Sequence, residues 1–368
     1  MSEKVLEKAT DFIRSYGGSR TALLYDVDPD GQGAAAIVDR TLKRRFGNHA
    51  YSMPGNHFIP YISDRTRHLY DFVERTRPDA VITVDMAVHQ SAVYVKKIAR
   101  SAKVLVLDHH QCRESLSKID GNIVHVNSNF LKSGIEPHHY CTSKLAYDAC
   151  KEVADLDDIK WAVGAGIIGD GAGLAWKPFI DSIYEAHPEL SKGSEPYGFK
   201  SGLGEISLLI NSGMSVSNSD GAGQVFEIVS NSTSPADILT SGKLREFRRV
   251  ADAEVERLSA KWRDLAEIYE SSKLAIYMMP TETFVGPEVA IRISAGTKEP
   301  YTFVLAKREG NLVYIGFRTN NQNVNCADLA RFSGDGGGHK PSAGANILTS
   351  EWEGFKERVL QYMMEHRS

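Results

Sequence analysis

The chain has 368 residues, of which 42% are hydrophobic and 24% charged, with a formal net charge of −4. This length accommodates two domains with substantial buried cores. The charge balance excludes a protein that coats long nucleic acid through bulk positive potential, though not one that holds a short polyanion in a local site. No stretch reaches the roughly 18 apolar residues of a membrane span. The opening MSEKVLEKATDFIRSYG reads as a charged amphipathic helix without a signal core. Cys112, Cys141, Cys150 and Cys326 lack CxxC spacing and read as reduced thiols, so a cytoplasmic setting is expected.

In chain order, TALLY (Thr21 to Tyr25) predicts a short buried strand, and GAAAIVDRTLKRRFG follows with helical periodicity. AVITV (Ala80 to Val84) predicts a second strand before the helical HQSAVYVKKIARSA. KVLVL (Lys103 to Leu107) and NIVHV (Asn122 to Val126) repeat the strand signal, and residues from Lys144 to about Asp170 read as helical. Strands alternating with helices predict an α/β fold with a doubly wound parallel sheet. Residues 190–233 are rich in Gly, Ser and Asn and read as surface loops around a short helix, at a weak domain boundary. SPADIL then starts a helix with Ser234 as N-cap and Pro235 in the first turn. A long charged helix is expected from about Lys243 to Ser271 as a connector. After it, KLAIYMM, VAIRIS, YTFVLAKR and NLVYIGFR read as strands, and CADLARFS and WEGFKERVLQYMMEH as helices. The expected organisation is an N-terminal domain over 1–235, a connector helix over 236–272, and a smaller α+β C-terminal domain over 273–368. The basic runs KRR (Lys43 to Arg45) and REFRR (Arg245 to Arg249) read as solvated helix faces.

The segment DVDPDG (Asp26 to Gly31) packs three carboxylates into one turn, which calls for a cation among them. An EF-hand loop fits its first six positions, but the twelfth, a bidentate Glu in that loop, is Ile37. What remains is a strand-to-helix turn with acids at the carboxyl end of a strand. The same placement recurs at Asp85 in ITVD and at Asp108, His109 and His110 in VLDHH. In an open parallel sheet such groups converge on one crevice. Asp170 adds a further carboxylate after GAGIIG, whose glycines permit close backbone approach. Taken singly, each Asp also reads as a helix N-cap. Taken together, they require cations, and an Asp/His donor set suits Mn2+ or Mg2+ better than Ca2+.

GDGGGHKPSAGA (Gly334 to Ala345) fails as a Walker A loop at His339 and Pro341. Its Gly336, Gly337 and Gly338 still offer backbone N–H groups to an anion, with His339 and Lys340 adding positive charge. Arg318 in YIGFRT and Arg292 in VAIRIS are candidate phosphate partners.

In their order, DVDPDG, VDMA, VLDHHQ and GIIGDGAG resemble the four metal-binding motifs of the DHH phosphoesterases. GFRT with GGGHKPSAGA resembles the DHH-associated C-terminal domain, so the resemblance runs from about residue 20 to 348. That family includes RecJ-type exonucleases, nanoRNases, cyclic-dinucleotide phosphodiesterases and some polyphosphatases. The resemblance implies hydrolysis of a phosphoester or phosphoanhydride bond at a pair of divalent ions, Mn2+ with Mg2+ as the substitute. The first motif matches the RecJ-type D-x-D-x-D-G rather than H-x-x-P-D-G-D: Asp26 stands where the second pattern has His, Asp30 is kept, and Gln32 replaces the last Asp. Gln32 therefore removes a carboxylate from the second ion's ligand set, and Asp28 is the residue placed to compensate. An OB-type domain like that of full-length RecJ enzymes is not expected.

The resemblance assigns roles. Asp85 bridges two ions, with Asp26, Asp28 and Asp30 on one side and His109 and Asp170 on the other. Asp108 and His110 orient these ligands or a substrate phosphate and complete the catalytic set of Asp85, Asp108, His109 and His110. A water whose pKa falls towards about 7 at the ions attacks phosphorus in line. Arg318, Gly336, Gly337, Gly338 and His339 hold a terminal phosphate or nucleotide, which selects chain ends. The expected substrate is a short oligonucleotide cut exonucleolytically. The alternatives are a small phosphate compound (cyclic dinucleotide, inorganic polyphosphate or nucleoside bisphosphate) and a non-catalytic nucleotide-binding module. A homodimer is compatible with either, and no membrane partner is expected.

Overall fold

The computed structural model describes residues 3–55, 62–334, 336–338 and 340–366. It divides into two compact units, and the division falls between Arg248 and Arg249.

The first unit opens with helix α1 (Glu3–Tyr16), then β1 (Thr21–Tyr25), α2 (Pro29–Phe46), β2 (Tyr51–Pro54), α3 (Ile62–Thr76), β3 (Ala80–Val84), α4 (Ala92–Ile98), β4 (Lys103–Asp108) and β5 (Ile123–Asn127). The five strands form one parallel sheet in the order β2-β1-β3-β4-β5. β1 and β3 are buried along their whole length, so apart from Thr21 and Thr83 their sequences are apolar, without polar alternation. Successive side chains still part to opposite faces. Leu23, Tyr25, Ile82, Val84, Leu105 and Leu107 enter one core with Ala34 and Ile37 of α2. Ala22, Leu24, Val81, Val104 and Val106 enter another with Leu69 and Val73 of α3 and Val95 and Ile98 of α4. Helices on both faces make the sheet doubly wound, as its alternating pattern predicts.

The unit continues with α5 (Thr142–Cys150), α6 (Lys160–Gly169), α7 (Lys177–Ala186), α8 (Gly202–Asn231) and α9 (Pro235–Leu239). Here one expectation is corrected. Most of the Gly/Ser/Asn-rich stretch read as loops is α8, two helical segments joined at Ser217 and Asn218. Ser207, Ser212, Gly213, Ser215 and Gly221 are buried there, so its small residues serve close packing, not solvation. Ser234 caps α9 as expected, in a capping box with Asp237.

α10 (Gly242–Leu265) crosses the division and ends short of the predicted Ser271. The residues after it form β6 (Glu267–Tyr269), followed by β7 (Leu274–Met278), α11 (Gly286–Ala295), β8 (Thr302–Glu309), β9 (Leu312–Thr319), α12 (Cys326–Ala330), β10 (Gly337–Gly338), β11 (Ser342–Leu348) and α13 (Trp352–Glu365). This second unit is a mixed sheet in the order β10-β11-β9-β8-β7-β6, in which β7 and β8 pair in parallel. Its core joins Val304, Val313 and Phe317 to Phe355 and Val359 of α13. VAIRIS, expected as a strand, lies in α11. Val289, Ala290 and Ile293 are buried at helical spacing, and Arg292 is exposed on the helix.

Candidate metal centre

The strand order places β1 beside β3, although β2 follows β1 in sequence. That is a topological switch point, and a crevice opens there outside the strands' carboxyl ends. Asp26 directly follows β1 and donates its N–H to the Val84 carbonyl at 3.1 Å. Asp85 directly follows β3 and donates its N–H to the Leu107 carbonyl at 3.0 Å. Asp85 also has φ +65°, a conformation an L-residue adopts at a cost and that clusters at functional sites.

The turn from β1 into α2 places the other acids. Asp28 is the N-cap of α2, accepting the Gly31 N–H at 2.9 Å, and Pro29 occupies the first turn. A Cβ at Gly31 would lie 2.4 Å from the Asp26 carbonyl oxygen, so only glycine lets the helix start this close to the strand end. Asp30 is buried and accepts the N–H groups of Thr142 at 2.7 Å and Ser143 at 3.0 Å, and the Ser143 hydroxyl as well. It thus satisfies the N-terminus of α5. Behind it, a Cβ at Gly166 of α6 would meet Ser143 Oγ at 2.6 Å and Asp30 Oδ1 at 3.0 Å.

Asp108 ends β4 with no exposed surface. It accepts His110 Nδ1–H at 2.8 Å and the His110 backbone N–H at 3.1 Å on one oxygen, and faces His89 Nδ1 at 3.1 Å with the other. Burial alone would raise its pKa, but the hydrogen bonds and charges of His110 and His89 hold it below the usual carboxylate range. Conversely, Asp108 raises His110 to about 9 against the effect of burial. His109 Nε2 stands 3.4 Å from Asp85 and 3.6 Å from Asp170. Burial pushes its pKa down, which favours the neutral imidazole a metal ligand requires.

Three sets of potential ligand atoms form here, each with its atoms within 4.8 Å of one another: Asp26, Asp28 and Asp85; Asp85, His109 and His110; and Asp30, His109 and Asp170. Asp85 and His109 each belong to two sets, so the three make one cluster. Burial, then the charges of Asp30, Asp28, Asp26 and Asp170, raise Asp85 well above the usual carboxylate value. Burial, then Asp30 and Asp28, do the same to Asp170. Asp170 Oδ2 is buried without a hydrogen-bond partner. Unrelieved carboxylate repulsion and an orphaned carboxylate oxygen are what a divalent cation would satisfy. Oxygen and imidazole donors without thiolate fit an Mn2+- or Mg2+-type ion. Cys141 is near, but burial and then Asp170 and Asp30 keep its thiol protonated.

Of the expected residues, the fold brings together Asp26, Asp28, Asp30, Asp85, His109, His110 and Asp170, with Asp108 supporting His110 from below. The rest lie in the second unit. Arg318 sits near the end of β9, paired in register with Ser342 of β11. Gly337 and Gly338 form an edge strand on β11 rather than an open loop, which leaves one side of their backbone outside the sheet. Gly336 precedes them, and His339 lies outside the described residues. Gln32 takes no part in the cluster as a replacement ligand. Its amide donates to the Ala222 carbonyl at 3.0 Å and the Val27 carbonyl at 3.4 Å, tying α2 to α8.

Sequence reasoning missed His89, Thr142 and Ser143. His89 has a weak signal, a His four residues after Asp85. Thr142 and Ser143 have only the Thr-Ser run that opens a helix. A further His89, Cys112 and His125 set lies beside Asp108. Three of its four ring nitrogens are engaged, since His89 faces Asp108 and the Gln111 carbonyl and His125 Nδ1 accepts the Leu116 N–H, while His125 Nε2 is buried without a partner. With Nδ1 accepting, the neutral His125 ring carries its proton on Nε2.

Residues 21–166 match the DHH family, N-terminal domain. That stretch holds the five-stranded parallel sheet and Asp26, Asp28, Asp30, Asp85, His109 and His110, and it is similar to the DHH family, whose members are phosphoesterases. No curated protein matches the chain. Among solved structures, RecJ from Thermus thermophilus in complex with Mn2+ matches with a TM-score of 0.70 at 19% identity, over 98% of this chain and 55% of that one. An exonuclease RecJ bound to manganese matches with a TM-score of 0.69 at 18% identity, over 98% of this chain and 94% of that one. An exopolyphosphatase-related protein from Bacteroides fragilis reaches 0.52 at 14% identity, over 99% and 98%. At these identities the likeness is one of fold, and the chain spans about half the length of the Thermus RecJ. No helix among the described residues is long and apolar enough to cross a membrane.

Proposed function

We propose that this protein is a metal-dependent phosphohydrolase that removes nucleotides from the ends of short oligonucleotides. The observation that carries the reading is the position of Asp85, shared between the Asp26/Asp28 set and the His109/His110 set at the switch point of the sheet. That is where a ligand common to two ions belongs. Asp26, Asp28 and Asp85 would hold one ion and Asp85, His109 and Asp170 the other, with Asp30, expected beside Asp26 and Asp28, grouped instead with His109 and Asp170. A bound divalent cation supplies Lewis acidity at a phosphoryl oxygen and offsets charge on the leaving oxygen. Mn2+ is the preferred ion in this reading. The donor set supports it, as does the Mn2+ in the two RecJ structures that share the fold.

The chain's own residues do the rest. Asp108 fixes His110 through Nδ1, which leaves Nε2 as the nitrogen able to face a substrate phosphate. His138 accepts His109 Nδ1–H through its carbonyl at 3.2 Å, which leaves Nε2 for the cluster. In this reading Arg318, Gly336, the outer backbone edge of Gly337 and Gly338, and His339 grip the terminal phosphate. With a net charge of −4, phosphates beyond this grip gain little attraction, and salt screens much of that.

The test is a hydrolysis panel on chelator-stripped protein, with Mn2+ or Mg2+ restored, across RNA and DNA of increasing length, cyclic dinucleotides, polyphosphate and a nucleoside bisphosphate. The specificity constant is expected to peak at about two to five nucleotides, because remote phosphates add little to transition-state binding. Arg318→Ala should flatten that preference. A rate that rises steadily with length refutes the short-substrate reading. Preference for polyphosphate over every oligonucleotide moves the protein to the small-phosphate class, and binding without turnover makes it a nucleotide-binding module.

A further inference from the structure

The first residue of α5 makes a contact that its helix does not need. Thr142 is fully buried, and its hydroxyl donates to Asp85 Oδ1 at 2.8 Å across 57 residues of chain. A Thr in a first helical turn ordinarily spends its hydroxyl on nearby backbone. Here Asp30 already satisfies the Thr142 and Ser143 N–H groups, so the hydroxyl has no capping duty. Its acceptor is the residue held at φ +65°. Asp85 thus has an unfavourable backbone fixed by the Leu107 carbonyl and a carboxylate whose rotation is fixed by Thr142. The oxygen Thr142 binds is also the one nearest His109 Nε2 and His110 Nδ1, at 3.4 and 3.7 Å. Rotation of the carboxylate would change both distances at once.

We infer that Thr142 is a positioning residue: its hydroxyl orients the Asp85 carboxylate for cation binding. This rests on the reading of the cluster as a metal centre. Groups that orient a ligand from behind typically change metal affinity by about 10–100-fold when lost.

The experiment uses the full chain stripped of metal. Mn2+ is titrated into wild type, Thr142→Val and Thr142→Ser, with free Mn2+ followed by electron paramagnetic resonance and heat by calorimetry. Thr142→Val keeps the shape and removes the hydroxyl, and Thr142→Ser keeps the hydroxyl. We expect Thr142→Val to bind Mn2+ about 10–100-fold more weakly and Thr142→Ser to bind like wild type. The metal-free Tm of the two variants should agree, which separates orientation from simple destabilisation. If Thr142→Val does not fold, Thr142→Ala carries the same comparison. Wild-type affinity in the folded hydroxyl-free variant overturns the inference. A wild type that binds no Mn2+ overturns the metal reading beneath it.

Discussion

Gly31 tests whether the start of α2 is built for helix stability or for the acids around it. It lies in the first turn of α2, where intrinsic preference favours Ala over Gly by up to about 1 kcal/mol. Against that, a Cβ at position 31 would stand 2.4 Å from the Asp26 carbonyl oxygen and 2.7 Å from both its carbonyl carbon and its Cβ. Two of these atoms are backbone at a strand end and cannot rotate away, so relief means moving Asp26 itself. Overpacking of this kind costs about 1–3 kcal/mol, and rigid neighbours place it in the upper half of that range. The clash therefore wins, and Gly31→Ala is expected to lose about 1–2 kcal/mol net in urea unfolding. Because the residue displaced is a candidate ligand, Mn2+ affinity should fall with it. Gly223 of α8 is the control, since a Cβ there meets nothing within 4 Å. Gly223→Ala should gain about 0.5–1 kcal/mol and leave Mn2+ binding unchanged. A Gly31→Ala protein as stable as Gly223→Ala, with wild-type Mn2+ affinity, would refute the close-approach argument.

Asp85→Asn should abolish hydrolysis and the rise in Tm on adding Mn2+. Burial and four neighbouring carboxylates raise its folded pKa, so ionising it costs stability as pH rises through that value, and the metal-free variant should melt above wild type at pH 7. Asp148 gives a pH test away from the cluster. Burial pushes its pKa up, but the Lys144 charge and hydrogen bonds from Lys144 and Tyr140 hold it below the usual range. Its stabilisation is therefore full above about pH 4 and lost as pH falls through the folded value. Asp148→Asn should cost about 3 kcal/mol at pH 7 by leaving the buried Lys144 uncompensated, with the gap to wild type closing at acid pH; a gap independent of pH contradicts this. Arg40 pairs with Asp158 and donates to the Ser230 and Ser232 carbonyls at the end of α8, at 3.1 and 2.6 Å. Arg40→Leu should cost about 3 kcal/mol, the low end for a broken buried pair because Arg44 still holds Asp158, and a loss under about 1 kcal/mol would place the pair among surface contacts.

Strands β1, β3, β4 and β5 were legible because strands buried in a sheet are written mainly in apolar residues, whereas the half-exposed edge strand β2 carries no such run and was missed. The acids were legible for a related reason, since a carboxylate directly after such a strand has no core to enter and must stand at its end. Readings failed where one composition serves two environments. Gly213, Ser215 and Gly221 have the chemistry of a loop, yet inside α8 the same small size lets helices pack closely. VAIRIS alternates like a strand over six residues, but Val289, Ala290 and Ile293 also share one side of a helix, and a run this short cannot separate the two periods. The groups behind the candidate ligands failed for a different reason. His89 and Thr142 are ordinary in their local sequence, and what makes them matter is a partner 19 residues away in one case and 57 in the other. That pairing depends on which strands are neighbours and where α5 begins above them. Local pattern can therefore name the residues that face a cation, while the residues that aim them become visible only once the sheet order is known.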